Sequence, residues 1–118
     1  MGQVTERTIA KFISALYAKQ AEKYGGDTTI NQLRTMAQCY LIHTETGEGT
    51  SITELSDILE MPTSTVHRSV TELIQKGWLR DSPHPTDGRR RIVELSEQGV
   101  SGGLWAQGIE WIREYSED

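Results

Sequence analysis

A single cysteine, Cys39, in 118 residues excludes an internal disulfide and any zinc site built from four cysteines of one chain. A reducing cytoplasm is the expected compartment. No apolar run approaches the roughly 18 residues of a spanning helix, and Met1-Gly2-Gln3-Val4-Thr5-Glu6 lacks the basic-then-apolar order of an export signal. The expectation is a soluble, unexported protein that neither enters nor coats a membrane. Catalytic signatures are missing as well: no G-x-S-x-G, no P-loop, no H-E-x-x-H and no glycine-rich dinucleotide turn. An enzyme has no residues to stand on, and no cofactor is implied. The length suits one domain, and a hydrophobic content of 36% with 11 glycines allows a modest core.

A surplus of positive charge is also lacking, since the net charge is -5, which taken whole disfavours a polyanion partner. Its distribution reverses that reading. Residues 1 to 44 carry five Lys/Arg against three acids, and residues 45 to 61 carry five acids and no base. Residues 62 to 91 carry six bases against three acids, and residues 92 to 118 one against six. The basic third quarter, densest at Arg89-Arg90-Arg91, is where a polyanion would dock, because local charge decides that.

Ile9, Phe12, Ile13, Leu16, Tyr17, Ala21 and Tyr24 recur at spacings of three and four, predicting an amphipathic helix over 5–24. Thr5 is its N-cap, and Gly25-Gly26 supply a left-handed C-cap. Thr29-Ile30-Asn31-Gln32 has the form of a capping box and opens a second helix that ends by the polar loop Thr44 to Thr50. Ser51-Ile52-Thr53-Glu54 is a second capping box, heading a short helix of about nine residues that Pro62 interrupts. Thr63-Ser64-Thr65 starts the next helix, capped by one of its hydroxyls, with Val66, Val70, Leu73 and Ile74 on one face and Gly77 at its end. Two helices joined by so short a turn form a helix-turn-helix.

Trp78-Leu79-Arg80-Asp81 and Arg91 to Leu95 are strand-like, and the stretch between them holds two prolines, Asp87 and Gly88; a hairpin is predicted. Ser96 then caps a helix over 96–116, with Val100, Leu104, Trp105, Ile109, Ile112 and Tyr115 at helical spacing. Gly102, Gly103 and Gly108 weaken it by about 1 kcal/mol each relative to alanine. The expected fold class is mainly α with a small β-hairpin wing (α+β): one winged-helix domain over 1–118, in which a DNA-binding lobe (29–95, wing 78–95) is flanked by terminal helices.

The segments Glu54-Leu55-Ser56 through Leu59, Ser64 to Arg68, Leu73 to Leu79, and above all Asp87-Gly88-Arg89 followed by Val93, Leu95, Ser96 and Gly99 closely resemble the MarR family of regulators. The resemblance runs from about Thr29 to Gly99, and Pro62 stands where the family often has serine. It implies a homodimer on a pseudo-palindromic operator, often released by a small-molecule effector, with Arg89 in the minor groove.

The residues themselves agree with those roles. Thr63, Ser64, Thr65, His67 and Arg68 occupy the first two turns of the recognition helix, where hydroxyls reach phosphates and base edges and Arg68 can take guanine O6 and N7. At the wing tip, Asp87 can orient the Arg89 guanidinium into a narrow minor groove, with Arg90 on the flanking phosphates. The bland alternative is a solvated arginine tip that protects a β-edge, and Arg91 alone suits that role. His84 reads as a phosphate neighbour or an exposed loop residue.

Ile9, Phe12, Ile13 and Leu16 with Trp105, Ile109, Trp111, Ile112 and Tyr115 read as an intersubunit core, since a marginal terminal helix does not leave so much aromatic surface in water; packing within one chain is the alternative. Cys39 and His43, four apart on one helix face, could supply two metal ligands, but a third and fourth are lacking and a lone cysteine reads as a small buried hydrophobe. Two rival functions remain: a winged-helix protein-interaction module, and an architectural or replication factor without effector control.

Overall fold

The computed structural model describes residues 5–106, 108, 112 and 113. In chain order the elements are α1 (Glu6–Tyr24), α2 (Ile30–Thr46), α3 (Ile52–Leu59), α4 (Thr63–Gln75), β1 (Leu79–Pro83), β2 (Arg91–Leu95) and α5 (Glu97–Ser101). The chain divides into two compact units, one of residues 29–101 and one of residues 1–28 with 102–118.

In the larger unit the four capping sequences behave differently. At α2 both halves of the capping box form, Thr29 Oγ1 accepting from Gln32 N–H and Gln32 Oε1 from Thr29 N–H. At α3 only half forms: Ser51 Oγ accepts from Glu54 N–H, while the Glu54 carboxylate accepts from the Thr50 hydroxyl at 2.7 Å. A charged oxygen draws the stronger donor in reach, and Thr50 is held next to it by pairing with Val93. The α4 expectation fails altogether. Pro62 is the N-cap residue and no side chain caps the helix; its fixed φ pre-sets the entry instead. The second helix also runs further than its polar end suggests, to Thr46, where Gly47 at φ 72 closes it.

The turn between α3 and α4 is made by Glu60, which sits in the left-handed region at φ 54, ψ 45, followed by Met61, whose N–H reaches Ser56 O at 3.1 Å. A residue with a Cβ is strained there by about 1 kcal/mol relative to glycine. Glu60→Gly is therefore expected to raise unfolding free energy by up to about 1 kcal/mol, and a urea midpoint that falls instead would show that the Glu60 side chain stabilises the turn in some other way.

The C-terminus of α4 is a Schellman motif: Trp78 N–H reaches Leu73 O and Gly77 N–H reaches Ile74 O, both at 3.0 Å, with Gly77 at φ 86 as the left-handed residue. This takes Trp78 out of the strand where the sequence placed it. Strand β1 instead extends to Pro83, and the antiparallel register runs from Leu79 opposite Leu95 to Pro83 opposite Arg91. Proline is tolerated at this strand end. Thr50 adds a single bridge to the other edge of β2, its N–H donating to Val93 O at 2.8 Å.

Leu55 and Leu59 of α3, Val66, Val70 and Leu73 of α4, Met36 and Cys39 of α2, and Leu79, Val93 and Leu95 of the hairpin form the buried core. Each large side chain so buried contributes about 1.5 to 3 kcal/mol. Polar groups also cross this interior. Gln32, almost fully buried, donates through Nε2 to Glu72 Oε2 and so ties α2 to α4, and Arg34 donates to Leu59 O at 3.0 Å.

The expected 96–116 helix is interrupted. Ser96 Oγ accepts from Gly99 N–H at 3.0 Å and donates to Gly77 O at 2.6 Å, so α5 starts as expected, but it stops at Ser101. Gly102 and Gly103 bend, and helical backbone resumes at Trp105. The glycines that lower helix propensity there supply the break. A Cβ at Gly99 would lie 2.3 Å from Trp78 O, which explains the glycine that ends the L-S-x-x-G pattern: α5 rests directly on the backbone of Trp78, just before β1.

In the smaller unit, Thr5 Oγ1 caps α1 by accepting from Thr8 N–H, and Gly25 N–H closes it on Ala21 O at 2.9 Å. Gly25 has a positive φ of 102 with ψ 148, outside the left-handed helical region and open in practice to glycine alone. The Tyr24 hydroxyl accepts from Leu104 N–H at 2.9 Å; burial raises its pKa, an effect that this hydrogen bond partly offsets. Ile109, Trp111 and Tyr115 lie outside the described residues.

Candidate nucleic-acid interface

Helix α4 buries Val66, Ser69, Val70 and Leu73 and leaves Thr63, Ser64, His67, Arg68 and Thr71 exposed, with Thr65 half-buried. The helical period therefore puts the hydroxyls and Arg68 on the outward face of the first two turns. Because Pro62 takes the N-cap position, neither Ser64 nor Thr65 spends its hydroxyl on capping, and Thr63 Oγ1 lies 3.5 Å from Ser56 Oγ. A hollow of about 300 Å³ beside these turns is lined by Thr29, Asn31, Ser64, Thr65, Arg68 and Glu72 among others. The exposed set offers hydroxyl donors and a guanidinium to a phosphate or a base edge.

The wing carries four arginines in three different states. Arg91 is held on the hairpin by Asp81, Nε and Nη2 each 3.0 Å from Oδ2, and Arg80 pairs across the strands with Glu94 at 3.0 Å. Arg89 at the tip is 96% exposed. Its backbone N–H donates to Asp87 Oδ1 at 3.1 Å, whereas its Nε stands 3.7 Å from the same oxygen. That separation is an ion pair rather than a hydrogen bond, so in this structure Asp87 fixes the backbone that presents Arg89 more than the guanidinium itself. Arg90 is exposed and lines a cleft of about 570 Å³ with Glu48, Thr50, Glu54, Ser82 and His84.

His84 is the residue whose role the sequence hid. It is half-buried, and its Nδ1 accepts from the backbone N–H groups of Thr86 at 3.2 Å and Asp87 at 3.1 Å. The His84 backbone N–H donates to Arg90 O at 2.9 Å, and Arg90 N–H reaches Asp87 O at 3.0 Å. The wing tip is thus a hydrogen-bonded turn organised around one imidazole, not the free loop that an exposed or phosphate-facing histidine would imply. The dipeptide His84-Pro85 carries no pattern that announces this.

Cys39 is 3% exposed, and burial pushes its thiol up to about 12. A thiol raised in the folded state destabilises only in alkali: its contribution is unchanged below the unfolded value near 9 and is lost as pH climbs from there towards about 12. At neutral pH almost no thiolate exists to react or to bind metal. Native protein is therefore expected to leave Cys39 unlabelled by a maleimide over hours and to label fully in urea; rapid native labelling would reopen a sensing role. Among the described residues no group of three or more His, Cys, Asp or Glu could hold a metal ion, and no helix is long and apolar enough to cross a membrane.

Two helices joined by a tight turn, followed by a hairpin with an arginine tip, define a winged helix-turn-helix protein. The MarR family pattern matches residues 27–90, more than half of the sequence, and the chain belongs to that family of DNA-binding transcriptional regulators. Among solved structures, a probable transcriptional regulator from Pseudomonas aeruginosa is 27% identical with a TM-score of 0.60, covering 92% of this chain and 76% of its own. S. aureus MepR in complex with DNA is 20% identical, with a TM-score of 0.73 over 94% of this chain and 86% of that one. S. aureus MepR bound to ethidium bromide is 18% identical, with a TM-score of 0.63 over 94% and 79%. No curated protein matches the sequence.

Proposed function

We propose that this protein is a sequence-specific regulator of double-stranded DNA, cytoplasmic and not an enzyme, that acts as a homodimer with α4 in the major groove and the arginine wing in the minor groove. The observation that carries the reading is the division of α4 into a buried apolar face and an outward face of Ser64, Thr65, His67 and Arg68, beside a wing tip whose hydrogen bonds present a nearly fully exposed Arg89. Major-groove readout needs such a rigid helix with short polar side chains and one forked cation. Likeness to MepR, solved with DNA, supports the same docking, and MepR bound to ethidium bromide supports control by a small-molecule effector.

The dimer is assigned to the terminal segments, 5–24 and 96–116, with 29–95 as the DNA-binding lobe. Ile9 and Ile13 on α1 and Ile112 are each close to half exposed, and Phe12, Leu16 and Trp105 are half-buried; a second copy would remove this surface from water. The expected partner spacing puts the recognition helices about 34 to 36 Å apart.

Selecting bound sequences from a random pool tests DNA reading and symmetry together. A palindromic motif is expected, and Arg68→Ala should cost about 1 to 3 kcal/mol on it and relax one base position. No enrichment would favour a protein-interaction module, uniform weakening on all DNA would reduce Arg68 to a phosphate contact, and a monomer by sedimentation with and without DNA would overturn the dimer.

A further inference from the structure

We propose that His84 is a positioning residue for the wing: its unprotonated Nδ1 holds the tip in the shape that presents Arg89, so protonation of the ring releases the tip and weakens minor-groove binding. The inference rests on the DNA-binding reading above.

Both backbone amides that point at Nδ1 are obligate donors, those of Thr86 at 3.2 Å and Asp87 at 3.1 Å. Nδ1 must therefore carry a lone pair, which places the single proton of the neutral ring on Nε2. An imidazolium carries a hydrogen on both nitrogens, so it can no longer accept from these two amides, and the Thr86 hydroxyl, 3.2 Å from Nδ1, is the one group of the turn left to accept from it. The Asp87 amide and the Asp87 carboxylate sit in one turn, with Asp87 O accepting from Arg90 N–H and Asp87 Oδ1 from Arg89 N–H. Removing the acceptor beneath Asp87 therefore loosens the residue that fixes Arg89.

Histidine changes charge between about pH 5 and pH 8, which puts this acceptor under the control of ordinary pH changes. The charged groups that share its cleft are Glu48, Glu54, Glu94, Arg90 and Arg91, and Asp87 follows in the same turn. The sign is distinctive. A histidine that merely adds charge near a polyanion binds DNA better as pH falls, whereas a histidine that holds the tip through a lone pair binds it worse.

Asparagine separates the two, because its Oδ1 can occupy the place of Nδ1, accept from the amides two and three residues on as asparagine does in turns, and never titrate. The test compares wild type, His84→Asn and His84→Gln, the last reaching too far to accept from these amides, on a selected site with A-tract flanks at about pH 8 and about pH 5.5. At the higher pH wild type and His84→Asn should bind alike, with His84→Gln weaker by about fivefold, the loss of one or two net hydrogen bonds. At the lower pH wild type should lose about fivefold relative to His84→Asn; that ratio cancels the titration of His67 and of the DNA-facing surface. Wild type gaining relative to His84→Asn, or His84→Gln binding as well as wild type, overturns the proposal.

The free protein offers a readout independent of DNA. The nitrogen chemical shifts of the His84 ring should report the Nε2–H tautomer at about pH 8, and the Thr86 and Asp87 amide signals should shift with the ring's titration in wild type but not in His84→Asn. An Nδ1–H tautomer refutes the positioning role even if DNA binds. Normal ring and amide behaviour without any DNA binding would instead count against the functional reading alone.

Discussion

Leu73→Ala is expected to cost about 2 to 5 kcal/mol of unfolding free energy, the range for emptying a closed leucine site. Leu73 is fully buried in α4, and its carbonyl accepts the Trp78 N–H that closes the helix, so the void forms where α4 hands over to the hairpin and the surroundings are too tied to collapse into it. The half-buried neighbour Ile74 is the control, and Ile74→Ala should cost markedly less. Urea unfolding decides between them. If Leu73→Ala loses under about 1 kcal/mol, or no more than Ile74→Ala, the side chain does not sit in a closed core and the packing described for this lobe is wrong.

At the wing, Arg89→Ala is expected to weaken binding by about 1 to 3 kcal/mol, roughly fivefold to 150-fold, on sites flanked by A-tracts, and by less on G·C flanks, whose wider minor groove concentrates less negative potential. Arg90→Ala should weaken both kinds of site alike, as a phosphate contact does. Asp87→Ala should cause a partial loss although it removes a negative charge near DNA, because Asp87 Oδ1 holds the Arg89 backbone. Asp87→Asn, which keeps that acceptor, should recover most of the loss. Titrations at two salt concentrations read all four variants. If Asp87→Ala binds more tightly and Arg89→Ala matches Arg90→Ala with only a shallower salt slope, the arginines form a diffuse basic patch and the oriented tip is refuted.

The wing also shows where reading a sequence stops. The hairpin, its arginines and the D-x-R order were legible, because turn residues and strand alternation are local signals. The D-x-R order predicts Asp87 as a partner for the Arg89 guanidinium, yet the 3.1 Å hydrogen bond goes to the Arg89 backbone and the guanidinium nitrogen stands at 3.7 Å. The sequence reads His84 as exposed or phosphate-facing, and the half-buried ring collects two amides of its own turn. Neither geometry has a sequence period, since both depend on which way a seven-residue loop closes.

Capping divides along the same line. Thr29 and Gln32 needed only each other, three residues apart, and their box formed as the spacing predicts. Ser51 and Glu54 had the same spacing, but a distant strand brought Thr50 against the Glu54 carboxylate and took its side chain away. Pro62 displaced the hydroxyls of Thr63 and Ser64 from the cap of α4, and Thr63 Oγ1 lies against Ser56 Oγ instead.

By itself the sequence determined the helices, the hairpin, the apolar face of α4 and the resemblance to the family, because periodicity, caps and glycine stops act over a few residues. Tertiary structure alone decided that Gly99 must lack a side chain 2.3 Å from Trp78 O and that Gln32 and Glu72 tie α2 to α4 across forty residues. Each of these depends on a neighbour remote in sequence, and the free energy of burial or of a buried hydrogen bond is set by that neighbour rather than by the residue's own spacing.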